Sequence, residues 1–230
     1  LRWAPNHVGA GIAWRYVAHA IMLGLCLFNE ARPAPHLPDL ILDRFDPVEW
    51  LSRWNYSLWL AAYVPIALCL WRSDRSRFVH FLYVGGVISL LRGVCINLTG
   101  LGPVTGLDLN AGLNFADGVS AWWSVVNPLA AFGDAPHLAL TKDLFFSGHT
   151  ATTFLLYLYA RPIPKLGAAA LVGHLVTVSV VVFSHLHYTI DIVGAWAITY
   201  CVYRITTERW PPQRFFPNQS TGGPTSMGQS

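Results

Sequence analysis

Residues 78–99 read Phe-Val-His-Phe-Leu-Tyr-Val-Gly-Gly-Val-Ile-Ser-Leu-Leu-Arg-Gly-Val-Cys-Ile-Asn-Leu-Thr, an apolar run broken by one arginine, Arg92. At about 1.5 Å per residue, such a helix covers the ~30 Å hydrocarbon core of a bilayer. Comparable stretches lie at approximately 10–28, 57–71, 144–160, 167–185 and 188–205. No stretch alternates in the manner of a lipid-facing strand, and backbone groups in lipid need internal partners. The expected fold is therefore all-α: a polytopic membrane protein built as a six-transmembrane-helix bundle. Composition agrees, with 53% hydrophobic and 12% charged residues in 230, against about 25% charged in soluble domains. A net charge of +3 gives no field for nucleic acid, so none is expected as a partner.

The first span is the weakest, because Arg15 and His19 interrupt it and must snorkel or face protein. A cleaved signal peptide fits less well, since Arg15 breaks the apolar stretch and no small-x-small site follows. The second span is short unless Trp54, Tyr56 and Trp59 form a headgroup belt. Cys26, Cys69, Cys95 and Cys201 all fall in apolar runs, which argues against a disulfide framework and a zinc site. The chain starts at Leu1, which leaves room for residues upstream.

Six spans put both termini on one side. That side carries nine Lys and Arg (Arg2, Arg72, Arg75, Arg77, Arg161, Lys165, Arg204, Arg209, Arg214) against Asp74 and Glu208. The other side carries Arg32, Arg44, Arg53 and Lys142 against nine acids. The positive-inside bias then places the termini in the cytoplasm and the loops 29–56, 100–143 and 185–188 together outside. Residues 46–51 read as a capped interfacial helix, and the long connection 100–143, with Trp122 and Trp123, as a lid or binding element. One membrane domain is expected over 1–205, its catalytic core at about 80–205, followed by a disordered cytoplasmic tail over 206–230.

Two polar clusters stand at the outer membrane boundary, where polarity is costly and marks function. The first is Phe146-Ser147-Gly148-His149-Thr150 and the second His187-Tyr188-Thr189-Ile190-Asp191. His187 and Asp191 are four apart, so a helix puts them on one face. The carboxylate can take the Nδ1 proton of His187 and leave Nε2 as a bare lone pair, a nucleophile for phosphorus. Ser147 can cap its helix, Gly148 leaves room for approach, and the free N–H groups there can hold a phosphate. His149 beside them can give and take a proton. His7, His19, His36, His80, His137 and His174 are read as ordinary interfacial or core side chains.

These residues resemble the S-G-H and H-x-x-x-D motifs of the type 2 phosphatidate phosphatase superfamily. More narrowly, the chain resembles the sphingomyelin synthase family, with its G-D-x-x-x-S-G-H-T and H-Y-T-x-D. Arg92, Thr99, Leu101 and Pro103 follow an earlier family pattern, with Gly102 interposed, and the resemblance covers roughly 80–205. It departs at Lys142, where the family has glycine before Asp143, so the approach to the site is expected to differ. The lysine motif of the superfamily's phosphatases is missing, and Val180 and Val181 stand where they have Ser-Arg.

A phosphate monoester calls for several Lys or Arg donors, whereas a diester, with one charge, needs fewer. Arg92 is the only cation expected inside the site-bearing half, which favours a diester. The resemblance implies a lipid phosphotransferase that moves a phosphoryl headgroup from a glycerophospholipid to ceramide or diacylglycerol through a phosphohistidine. The alternative is a lipid phosphatase or phospholipase C-like hydrolase with water as acceptor. The catalytic residues would be His149, His187 and Asp191, with Arg92, Asp143, Ser147 and Gly148 on the phosphate. No metal or other cofactor is expected.

Overall fold

Asp74 ends one helix and begins the next. Its side chain accepts a hydrogen bond from the Arg77 N–H at 2.9 Å, and an apolar run follows at once. In a computed structural model, which describes residues 7–127 and 140–212, seven helices are laid down in this way. They are α1 (Val8–Glu30), α2 (Glu49–Ser73), α3 (Arg75–Thr99), α4 (Phe115–Val126), α5 (Gly148–Ala160), α6 (Pro164–Phe183) and α7 (Thr189–Arg209). No strand occurs among the described residues.

Local chemistry sets most boundaries. Asn114 caps α4 by accepting from the Asp117 N–H, and Ser147 caps α5 by accepting from the Thr150 N–H. Pro164 opens α6 where its missing N–H costs nothing. Gly100 closes α3 at φ 56°, a left-handed turn that a side chain would oppose.

Long-range contacts then fix the bundle. Helices α1 and α3 lie parallel and in close register, because α3 offers glycines where α1 brings large side chains. A Cβ on Gly86 would lie 2.2 Å from the Trp14 indole nitrogen, and one on Gly85 2.6 Å from the Arg15 guanidinium. Higher up, Gly93 faces Met22 and Leu25 in the same way. The core between α2, α3 and α5 holds Leu70, Phe81, Leu82, Leu155, Leu156 and Tyr159. Many large apolar side chains point outward instead, among them Ile12, Val87, Val172, Leu175 and Val193. An apolar exterior of this extent suits lipid better than water.

Among the described residues three helices, α1, α3 and α6, are long and apolar enough to cross a membrane. α5 has 13 residues, about 20 Å of helix, which is short of the ~30 Å core. The expected span 144–160 begins late because residues before Ser147 are not helical, Phe145 having φ 55°. Of the expected interfacial helix at 46–51 only residues 49–51 are helical, as the first turn of α2, which continues through Pro65 to Ser73. The connection 100–143 contains a helix of its own, α4, resting on α1. There Trp122 Nε1 donates to the Ala20 carbonyl at 2.7 Å, while Trp123 stays exposed. α7 runs to Arg209, four residues past the expected end of the domain. The remainder of the expected tail lies outside the described residues from 213 onward.

Candidate active site

The three loops expected on one face do meet at one end of the bundle. Val48 donates its N–H to Phe183 O at 2.7 Å, and Gly102 donates to Pro35 O at 2.9 Å. The Tyr188 hydroxyl accepts from Leu37 N–H at 3.1 Å and donates to Gly102 O at 3.0 Å. The two motif clusters are tied directly as well, by the Ser147 N–H donating to Asp191 O at 3.1 Å.

In the second cluster, His187 Nδ1 lies 3.2 Å from Asp191 Oδ2, and both side chains are buried. The same Oδ2 accepts the Tyr188 N–H at 3.2 Å, which fixes the carboxylate plane. Among the described residues, Nε2 of His187 meets no hydrogen-bond partner. The arrangement is that of a tautomer-fixed imidazole with a free lone pair.

His149 occupies the first turn of α5. Its ring meets the Trp59 ring edge-on, with centroids 5.3 Å apart. From behind, its carbonyl accepts the Thr153 hydroxyl at 2.9 Å. Thr153 in turn meets His174 Nδ1 at 2.9 Å, while Trp196 Nε1 donates to His174 Nε2 at 2.9 Å. His174 is therefore a neutral structural histidine, and His80, paired with the Tyr159 hydroxyl, is buried likewise.

Arg92 is buried beneath both clusters. Its Nε donates to Phe146 O at 2.7 Å, and one terminal nitrogen donates to Asp143 O at 2.6 Å and Asp143 Oδ2 at 2.8 Å. Gly148 packs against this arginine: a Cβ there would lie 3.2 Å from Arg92 Nε, so the guanidinium would have to shift by a few tenths of an ångström.

Lys142 has no part in this. It is buried with its ammonium 2.7 Å from Asp108 Oδ2 and 2.9 Å from Arg32 O. Beside it, buried Glu30 accepts from Thr141 N–H, Lys142 N–H and the Asn110 amide at 2.8, 2.5 and 2.6 Å. This network anchors the strap that carries Asp143 to the end of α1. The lysine leaves the approach to the site open by pointing away from it.

A cavity of about 190 Å³ joins these groups. Its walls are Arg15, His19, Met22 and Leu23 of α1, Tyr56 and Trp59 of α2, Ile88, Ser89 and Arg92 of α3, Asp143, and Gly148, His149, Ala151 and Thr152 of α5. His187 is not part of this wall, but it lies within electrostatic reach of His149, as do Asp143 and Arg92. His19, read as interfacial, is exposed and also lines this cavity, and Arg15, from outside the site-bearing half, brings a second cation to the wall beside Arg92. A larger apolar cavity, about 360 Å³ between α1 and α4, holds no titratable group.

One structural position beside the second motif escaped the sequence altogether. Asp39, in the loop after α1, caps α7 from 150 residues away, accepting the Thr189 N–H at 2.6 Å and its hydroxyl at 2.9 Å. Burial pushes the Asp39 carboxyl up, but N–H donation from Thr189, Ile41 and Leu42 outweighs it and leaves it below its ordinary value. A carboxylate held low stabilises the fold above its unfolded pKa and loses that contribution as pH falls through the folded one. Asp39→Ala is expected to cost about 0.5–2 kcal/mol, the usual value of a lost cap. Thermal unfolding in detergent at pH 7 and near pH 3 checks it: the difference between wild type and variant shrinks at the lower pH.

Comparison with known proteins agrees with the geometry. Residues 142–208 match the PAP2 superfamily C-terminal family. The chain is 28% identical over 216 residues to human phosphatidylcholine:ceramide cholinephosphotransferase 2 and 27% identical over 216 residues to the mouse protein of that name. Each alignment covers 82% of this chain, which spans 56% of the length of those relatives.

Proposed function

We propose that this chain is a lipid phosphotransferase, in which His187 attacks the phosphorus of a glycerophospholipid and passes the headgroup to a lipid alcohol. The observation that carries the reading is the pairing at one end of the bundle. An imidazole with Nδ1 on Asp191 and a free Nε2 lies near a second histidine that lines a cavity with a buried arginine.

In the first half-reaction the His187 Nε2 lone pair forms the P–N bond while the P–O bond to diacylglycerol breaks. His149 gives its proton to the leaving oxygen. In the second half, His149 takes the proton of the acceptor hydroxyl, whose oxygen displaces His187 from phosphorus. Asp191 stabilises the imidazolium in between. The N–H groups at the start of α5 and the guanidinium of Arg92 carry charge that develops on the phosphoryl oxygens. The names of the relatives support ceramide as acceptor and a phosphocholine headgroup as cargo.

Purified protein in mixed micelles, given headgroup-labelled phosphatidylcholine or phosphatidylethanolamine with and without ceramide, tests the reading. Label in a new ceramide lipid supports it. Release of free phosphorylated headgroup with no lipid product would make the protein a hydrolase instead.

The reading includes six spans with the site outside and the termini in the cytoplasm. It is supported by the charge asymmetry of the loops and by the parallel run of α1 and α3, which share a direction only if α2 returns between them. A reporter fused after Ser230 is expected to be active in the cytoplasm. Extracytoplasmic activity would reverse the orientation.

A further inference from the structure

Arg15 sits in the middle of an apolar helix, and no carboxylate pairs with it among the described residues. Its one hydrogen bond is donated to Ser89 Oγ at 3.1 Å. The neighbouring ionisable groups are His19 on the same helix and Tyr63 on α2, neither of which neutralises it. Arg92 differs, because Asp143 and two backbone carbonyls already satisfy it. The cavity thus contains one arginine that is spent and one that is not.

Their depths differ as well. On the α1 register, Arg92 stands level with Met22, while Arg15 lies seven residues nearer the opposite end. Seven residues are about 10 Å of helix, and the Arg15 side chain recovers part of that by reaching Ser89, one turn below Arg92. The guanidinium of Arg15 therefore sits roughly one helical turn farther into the bundle than the phosphate-binding end. A lipid repeats this order along its own length. The acyl carbonyls follow the phosphate by a few bonds, and the hydrocarbon comes after them.

Resting on the phosphotransferase reading, we infer that Arg15, assisted by Ser89, is a specificity-determining site for the acyl-linkage carbonyl oxygen of a lipid substrate. The Arg15 N–H groups donate to an ester or amide C=O and so set how far the lipid rises toward the phosphate-binding end. The carbonyl belongs either to the ester of a glycerolipid donor or to the amide of a sphingoid acceptor. A charge-assisted bond of this kind is worth enough to shift an apparent affinity by roughly tenfold or more.

The test compares diacyl phosphatidylcholine with its dialkyl ether, which keeps the phosphate and loses the carbonyls, and ceramide with its reduced-amide analogue. In wild type, KM for the carbonyl-bearing member of one pair is expected to be about tenfold lower. Arg15→Gln should erase that preference, bringing the KM ratio within each pair close to one. Loss with the ester pair assigns the site to the donor, and loss with the amide pair assigns it to the acceptor.

An equal effect of Arg15→Gln on both members of each pair, or an effect on kcat alone, would overturn the inference by placing Arg15 on the phosphate or in the scaffold. Should Arg15→Gln not fold, Ser89→Ala and Arg15→Lys read the same ratios, and unchanged ratios in both would also overturn it. Equilibrium binding of the diacyl and dialkyl lipids separates this inference from the parent reading. A wild type that transfers nothing would sink the phosphotransferase, yet a binding preference lost in Arg15→Gln would still support the carbonyl site.

Discussion

His187→Ala is expected to stop headgroup transfer from every donor, whereas His149→Ala should stop it only where the leaving group needs a proton. In the proposed mechanism the two histidines are unequal, because one makes a bond to phosphorus and the other moves protons. Without His187 no phosphoryl-enzyme forms, so neither half-reaction proceeds. Without His149 the nucleophile remains, its Nδ1 still held by Asp191 at 3.2 Å, but it must expel an alkoxide. The loss on a natural lipid donor should be about 10²–10⁴-fold. A p-nitrophenyl phosphodiester supplies a leaving group that needs little protonation. On that donor His149→Ala should release phenol at close to the wild-type rate, and His187→Ala should not. Rescue of His187→Ala instead would exchange the roles, and equal behaviour of the two would end the assignment.

Arg92→Lys is expected to lower activity by about 10²-fold or more, because an ammonium cannot reproduce the planar fork that satisfies Phe146 O and both acceptors of Asp143. The substitution tests two roles at once. Arg92 braces the turn before α5, and in the proposed mechanism it also contributes charge at the phosphate. A second variant separates them. Arg92→Met alone should destabilise the protein by roughly 3–5 kcal/mol, since Asp143 and the carbonyls lose their partner in a mostly buried place. Arg92→Met with Asp143→Leu removes both charges and should regain much of that stability. Activity should stay lost in the double variant if the guanidinium serves the phosphate. Recovery of activity along with melting temperature would make Arg92 a brace and nothing more.

The meeting of the two motifs was legible because helical geometry is local. His187 and Asp191 needed only a four-residue spacing, and Ser147 needed only its place before an apolar run. Arg92 stood out as a charge in a silent stretch. What escaped depends on distant pairings that no spacing encodes. Arg15 looks like a snorkelling residue until α3 is seen to offer Gly85 beside it. Asp39 looks like any loop acid until Thr189 arrives on it. α4 did leave a signal, the Asn114 and Asp117 cap ahead of an apolar segment, but it was submerged in a connection read as a lid. The α2 boundary failed for a simpler reason: nothing between residues 49 and 57 breaks a helix, so the interfacial turn and the span fused.

The cavity wall is divided unevenly along the chain. Asp143, Gly148, His149, Ala151 and Thr152 come from the segment that matches the superfamily, while α1, α2 and α3 supply the rest. Under the proposed function, drift at the wall positions of α1, α2 and α3 other than Arg92 would reshape which lipid is accepted and leave His149, His187 and Asp191 in place. If that function holds, a chimera joining α1–α3 of one relative to α5–α7 of another would take its lipid preference from the first parent.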